Sequence, residues 1–256
     1  MILPEYSPAS NEPPVLGISQ AEWESAAEAE EVYRERAPGI VKDEREIMRA
    51  IAARLPFRTD PQTMEHLAAL RIQRMRRAVD RADPEAARLF RRARKSGIRI
   101  GLISNADVTD RKYRSFSALA RYFDDAVFSC DVGMMKPDPR IYRLAMKRPD
   151  VSAGESVFIG DGGSGELEGA KAAGMKTVLS EALLTRSAEE REGLLRYADM
   201  SAAGFRELWE KSRISCRAAP CIVRARGGRS FHVSKKQLRP LSNPFPMGYN
   251  KGRHST

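Results

Sequence analysis

Two rhythms of hydrophobic and polar positions divide this chain. From about residue 19 to 95, apolar residues recur at helical spacing in a background rich in Ala, Glu and Arg, with breaks near Pro38-Gly39 and Pro56. That pattern predicts a run of amphipathic helices. Ser19, followed three residues later by Glu22, matches a capping box, in which each side chain satisfies an amide at the other position. Asp83-Pro84 predicts another helix start, an acceptor side chain followed by a residue with no amide to satisfy. Ala86, Leu89, Phe90 and Ala93 then share one face, and Gly97 ends the helix. Residues 1–18, with Pro4, Pro8, Pro13 and Pro14, read as an irregular lead-in.

After Gly97 the apolar runs become short. Strands are predicted at 98–103, 126–128, 156–159 and 176–179. Helices are predicted between them: one carrying Phe116, Leu119, Ala120 and Phe123, one starting at Asp138-Pro139 with Ile141, Leu144 and Ala145 inward, and one over 166–173. Alternation of this kind predicts an α/β fold, a Rossmann-like three-layer core built on a parallel sheet. Ligands of such sheets bind at the carboxyl ends of strands, so the loops at Ser104, Lys136 and Asp161 are where chemistry is expected.

Composition changes this picture at the edges only. Of 256 residues, 42% are hydrophobic and 30% charged, the balance of a folded domain. No apolar run approaches the ~20 residues of a membrane helix, and no basic-then-apolar leader follows Met1. A cytoplasmic protein without a membrane partner is expected. The net charge of +10 is local, because residues 211–256 carry eleven Lys and Arg and no acid, while residues 1–210 are close to neutral. That stretch reads as a basic disordered tail, and nucleic acid is not expected as a partner since the tail lacks regularly spaced aromatics. Three cysteines, two of them in the tail, indicate a reducing compartment rather than a disulfide framework.

The three strand-end loops present a hydroxyl, an ammonium and a carboxylate: Ser104, Lys136 and Asp161, with Glu166 five residues beyond. A hydroxyl can hold a phosphoryl oxygen, a lysine can neutralise its charge, and two carboxylates suit Mg²⁺. Gly101-Leu-Ile-Ser-Asn105 resembles the second motif of the haloacid dehalogenase-like hydrolase superfamily, and Gly133-Met-Met-Lys-Pro-Asp-Pro-Arg-Ile-Tyr142 resembles the third. The stretch from Val157 to Met175 is similar to the fourth, with Asp161 and Glu166 at its acidic positions. The resemblance implies a helical cap over 19–85, a core over 86–210 and a phosphatase acting on a small phosphorylated metabolite through an aspartyl-phosphate. It implies Ser104 and Lys136 as catalytic residues, Ser104, Asn105 and Lys136 as substrate-binding residues, and Asp161 and Glu166 as ligands of Mg²⁺. A haloacid dehalogenase, or a catalytically dead binding protein of the same family, is the alternative.

One part of the family pattern is missing. The nucleophile should be the first Asp of an Asp-x-Asp that ends a strand ahead of the cap. Asp43, Asp60, Asp80 and Asp83 are the aspartates before Ser104, none has a second Asp two residues away, and none follows an apolar run. The absent strand would lie between those ending at Ser104 and Asp161, so two edges are expected to lack partners. Each buried unpaired backbone group costs ~1–3 kcal/mol. The reading frame is therefore expected to begin too late, and the acid-free tail reads as translation out of frame. His66 is expected to be a surface or packing residue and Cys130 a small core residue, while Asp107 and Asp110 are expected to be solvated or to cap, with lining the pocket as the alternative. The arginine run Arg71, Arg74, Arg76, Arg77 and Arg81 is expected to form a solvated helix face, with recognition of an anionic substrate by the cap as the alternative.

Overall fold

Five helices open the chain: α1 (Glu12–Leu16), α2 (Gln20–Ala27), α3 (Glu30–Arg36), α4 (Glu44–Ala52) and α5 (Pro61–Asp80). The computed structural model describes residues 12–80, 83–114, 117–184 and 186–218, all within one compact unit. The Ser19–Glu22 capping box forms as the sequence predicts. Trp23, Val32, Ile47, Met48, Ile51 and Leu67 build an apolar core within these helices, with Val108 from the second region packed against it. The lead-in is shorter than expected, since Glu12–Leu16 is helical. Pro13 and Pro14 fall in its first turn, where missing amides cost nothing, and buried Glu12 lies 3.2 Å from Arg74 of α5. Residues 1–11 of that lead-in lie outside the described residues.

The second region alternates strands and helices. It comprises α6 (Pro84–Lys95), β1 (Gly101–Ser104), α7 (Val108–Arg114), β2 (Asp125–Phe128), α8 (Ser129–Val132), α9 (Pro139–Lys147) and β3 (Val157–Gly160). It continues with α10 (Glu166–Ala172), β4 (Lys176–Ser180), α11 (Ala188–Leu195), β5 (Met200–Ala202) and α12 (Phe205–Ala218). Asp83 and Asp138 cap α6 and α9 with a proline behind each, as their sequences require. All strand pairs are parallel. Phe158 and Leu179 point to one face, with Ile141, Tyr142 and Leu167 of α9 and α10. Val157, Ile159 and Val178 point to the other, with Leu89 of α6 and Leu208 of α12. The three-layer α/β core is thus present.

The sheet is in two pieces. β1 pairs with β2, and β3, β4 and β5 pair in that order; among the described residues no pairing joins β1 to β3. That seam is where the family resemblance led to the expectation of a further strand. Burial follows the break: no residue of β1 is buried, whereas Thr177 through Ser180 of β4 all are.

Several boundaries differ from expectation for local reasons. β1 begins at Gly101, because the Ile98 amide donates back to the Ala93 carbonyl at 3.1 Å as part of the α6 cap. The helix expected around Leu119 is instead α7 followed by a short turn at Ala120–Tyr122, and Phe116 lies outside the described residues. The loop before Gly133 contains α8. The expected tail start at Lys211 is helical, since α12 runs to Ala218, anchored by buried Leu208 and Trp209. Residues 219–256 of the tail lie outside the described residues. Among the described residues no helix is long and apolar enough to cross a membrane.

Candidate functional site

Of the chemistry-bearing residues, Asn105, Lys136 and Glu166 are tied together by their side chains, while neither Ser104 nor Asp161 makes a side-chain hydrogen bond to them. Asn105, just past β1, donates from Nδ2 to the Lys136 carbonyl at 3.0 Å and accepts the Lys136 amide on Oδ1 at 2.8 Å. Its role is therefore to fix the backbone of the lysine loop, beside any contact it makes with substrate. Lys136 Nζ in turn donates to Glu166 Oε2 at 2.5 Å, a pair whose side chains are 12% and 7% exposed. Glu166 Oε1 accepts the Gly162 amide at 3.1 Å, and its carbonyl accepts the Tyr142 hydroxyl at 2.7 Å. Burial, with a smaller contribution from Glu166, pushes the Tyr142 phenol above its ordinary range, so it stays a donor.

Two glycines permit this closeness. A Cβ on Gly169 would lie 2.1 Å from the Pro137 carbonyl oxygen, and one on Gly160 would lie 2.1 Å from Glu166 Oε1. α10 can therefore lie against the lysine loop, and the Glu166 side chain can cross the end of β3.

Asp161 is more open, with its side chain 42% exposed. Its Oδ1 accepts the Gly163 amide at 2.8 Å, and its carbonyl accepts Arg186 Nε and Nη2 at 3.0 and 2.8 Å. Oδ2 has no hydrogen bond to a described residue. The Ser104 hydroxyl likewise makes none. Both lie half-buried at strand ends, and Arg186 Nη2 already pairs with the Asp161 carboxylate, 3.6 Å from Oδ1, leaving Oδ2 and the Ser104 hydroxyl as the atoms without a described hydrogen bond. Mg²⁺ is commonly held by one or two carboxylates, with substrate oxygens and water completing its shell. One free oxygen on Asp161 fits that habit, and Glu166, already engaged by Lys136 and Gly162, fits support better than direct ligation. Among the described residues no three His, Cys, Asp or Glu side chains gather as a cluster.

A second polar centre joins the first region to the β1 loop. Asp107 is fully buried; its Oδ1 accepts the amides of Thr109 and Asp110, and its Oδ2 accepts Arg36 at 3.0 Å and Arg71 at 2.5 Å. Burial works to raise this carboxyl, but Arg71 and Arg36 outweigh it and hold it below its ordinary value. Asp110 goes the other way, pushed up to about 6 by burial and by the Asp107 charge. The arginine run is divided: Arg71 faces inward and Arg74 partly so, while Arg76 and Arg77 are exposed and Arg81 lies outside the described residues. His66 is exposed, and Cys130 is half-buried with its thiol pushed up to about 11, mainly by burial. Sequence reading missed Arg36, Arg186 and the central place of Asp107. The inward Arg71 and Arg74, three apart on one helix face, were the available signal; Arg36 and Arg186 have none.

The sequence profile of the haloacid dehalogenase-like hydrolases matches residues 8–174. A phosphoserine phosphatase of Thermus thermophilus is 30% identical over 118 residues, 46% of this chain and 47% of that protein. A glyceraldehyde 3-phosphate phosphatase of Pyrococcus abyssi is 31% identical over 96 residues, 37% and 40% of the two chains. The chain spans about half the length of the curated relatives it matches. Among solved structures, a 2-haloacid dehalogenase from Pseudomonas syringae superposes with a TM-score of 0.53 at 21% identity, covering 82% of this chain and 86% of the other. An L-2-haloacid dehalogenase from Xanthobacter autotrophicus gives 0.54 at 20% identity, covering 75% and 84%. These two likenesses concern the fold.

Proposed function

Because the chain belongs to the haloacid dehalogenase-like hydrolases, we propose that its strand-end loops form a phosphatase-type site for a small phosphorylated metabolite. The observation that carries this reading is the linked set Asn105–Lys136–Glu166, with the free carboxylate oxygen of Asp161 on the adjoining loop. The Ser104 hydroxyl donates to a phosphoryl oxygen. The Lys136 ammonium offsets phosphate charge while Glu166 holds it in place, so its position does not depend on the ligand. Asp161 holds Mg²⁺, which when bound supplies further charge neutralisation and orients the phosphate. The partly exposed Asp161 favours phosphate over haloacid chemistry, since displacement at carbon has no use for a divalent ion.

The attacking carboxylate is a separate question. No Asp-x-Asp occurs anywhere in the sequence. By family resemblance an aspartate attacks phosphorus, releases the alcohol and forms an aspartyl-phosphate that water then opens. The seam between β1 and β3 is where an extended segment bearing that carboxylate would fit. The missing motif also favours a second reading, a family member that binds a ligand without turning it over.

The test is phosphate release from small phosphomonoesters, by this chain and by the same chain with an apolar strand ending in Asp-x-Asp joined ahead of it. We expect Mg²⁺-dependent release from the extended chain alone, abolished by Asp161→Asn. Release by the unextended chain would place the attacking group within residues 1–256 and overturn the assignment of the seam. Phosphate binding by both with release by neither would establish the binding-protein reading.

A further inference from the structure

Arg186 reaches the Asp161 loop from the start of α11. Ser187 caps that helix by accepting the Glu190 amide at 3.2 Å, which fixes the backbone beside Arg186. α11 also lies against the loop itself: Gly162, at φ +90°, sits so close that a Cβ there would come within 2.6 Å of Leu194 Cδ1. From this base the planar Arg186 fork spans Asp161. Nε and Nη2 both donate to its carbonyl, and Nη2 lies 3.6 Å from Oδ1, which already accepts the Gly163 amide. Oδ2 is the carboxylate oxygen left for a cation. The guanidinium is thus held in place by the protein rather than by a ligand.

The same arrangement recurs one loop away, where Lys136 pairs with Glu166. Each acidic side chain of the proposed site therefore has its own cation, Arg186 for Asp161 and Lys136 for Glu166. These charges balance before any ligand arrives. Mg²⁺ alone would add its double charge beside a guanidinium and an ammonium, in half-buried surroundings where like charges repel more strongly than in water. A phosphate dianion alone would add its charge next to both carboxylates. The two together add almost none.

We infer that Arg186 is a positioning residue that makes Mg²⁺ binding at Asp161 conditional on phosphate. Its charge, held beside Oδ1, opposes the metal until an anion offsets it, so the two ligands load as a pair. The inference rests on the phosphatase reading for the identity of both ligands, and adds how their binding is coupled. Such coupling is reciprocal: phosphate tightens Mg²⁺ by the same factor by which Mg²⁺ tightens phosphate.

Isothermal titration of MgCl₂ into the full 256-residue chain, with and without saturating inorganic phosphate, tests this. We expect phosphate to tighten Mg²⁺ about tenfold or more in the wild-type chain. Arg186→Gln removes the charge and should tighten Mg²⁺ alone by about fivefold, while the phosphate effect falls below about threefold. Arg186→Lys keeps the charge without the fork and should return the wild-type pattern, a rescue that a purely structural role would not give. Asp161→Asn should abolish Mg²⁺ binding in both conditions. Should Arg186→Gln not fold, Arg186→Met removes the same charge and decides in its place. Unchanged or weaker Mg²⁺ binding in Arg186→Gln would make the arginine a structural brace and overturn the inference, as would Arg186→Lys behaving like Arg186→Gln. Mg²⁺ and phosphate binding independently in the wild-type chain, with Mg²⁺ still lost in Asp161→Asn, would also overturn it and leave the phosphatase reading in place. No Mg²⁺ binding in either condition would overturn both.

Discussion

The two pieces of the sheet are stabilised by different physics. β3, β4 and β5 are covered by α9 and α10 on one face and by α6 and α12 on the other, and β4 is buried from Thr177 to Ser180. β1 has apolar residues of the same kind, Leu102 and Ile103, yet none of its four positions is buried. What fixes its carboxyl end is polar: Asp107 with Arg36 and Arg71, Asn105 with Lys136, and Lys136 with Glu166. A parallel strand normally gains its burial from neighbours on both sides. With one side open, β1 depends on charge pairs and hydrogen bonds, some of them made by residues of the candidate site.

That contrast can be broken most forcefully at Asp107. Asp107→Asn leaves Arg71 without its ion-pair partner and Arg36 with Glu28 alone, and should cost ~3–5 kcal/mol in urea unfolding. A cost near zero would mean the polar ties do not hold the β1 side. Truncation in the two pieces sharpens the comparison. Leu179→Ala in β4 should cost ~2–5 kcal/mol, as in any packed core, while Leu102→Ala in β1 should cost less than half as much; equal losses would show that the seam is packed shut. Asn105→Ala removes the clasp on the lysine loop and should cost ~1–2 kcal/mol, with weaker phosphate binding as its second readout.

The smallest effect is a pH slope. Asp110 is raised to about 6 from an ordinary value of 3.8, so the folded chain holds this proton more tightly than the unfolded one. Stability from this group therefore increases as pH falls from about 6 toward 4. Asp107, held below its ordinary value, acts oppositely, and its contribution is lost only at lower pH. Asp110→Asn should flatten the rise between pH 6 and 4; an unchanged slope would remove Asp110 as its source.

Local chemistry made much of this legible in advance. The starts of α2, α6 and α9 could be read because Ser19, Asp83 and Asp138 satisfy amides within a few residues of themselves. That Ser104 ends one strand and Asp161 follows another could be read from the short apolar runs before them, whereas Lys136 lies beyond α8 rather than directly at the end of β2. The seam followed from a motif that was missing. Arg36 and Asp107 were not legible as partners, because 71 positions separate them and neither carries a local pattern. α11 was missed because it buries none of its residues, and α12 because its apolar anchors sit in the first turns, ahead of a basic stretch that reads as tail. Arg186, on a loop without a motif, is set by its bonds to the Asp161 carbonyl.

The central claim is that these loops already form a phosphate and metal site whether or not a nucleophile is present. Its most direct test is titration of inorganic phosphate into the chain with and without Mg²⁺, repeated with Asp161→Asn. The account predicts binding that requires Mg²⁺ and weakens at least tenfold in the variant. Phosphate binding that is absent, or indifferent to both Mg²⁺ and Asp161, would contradict it.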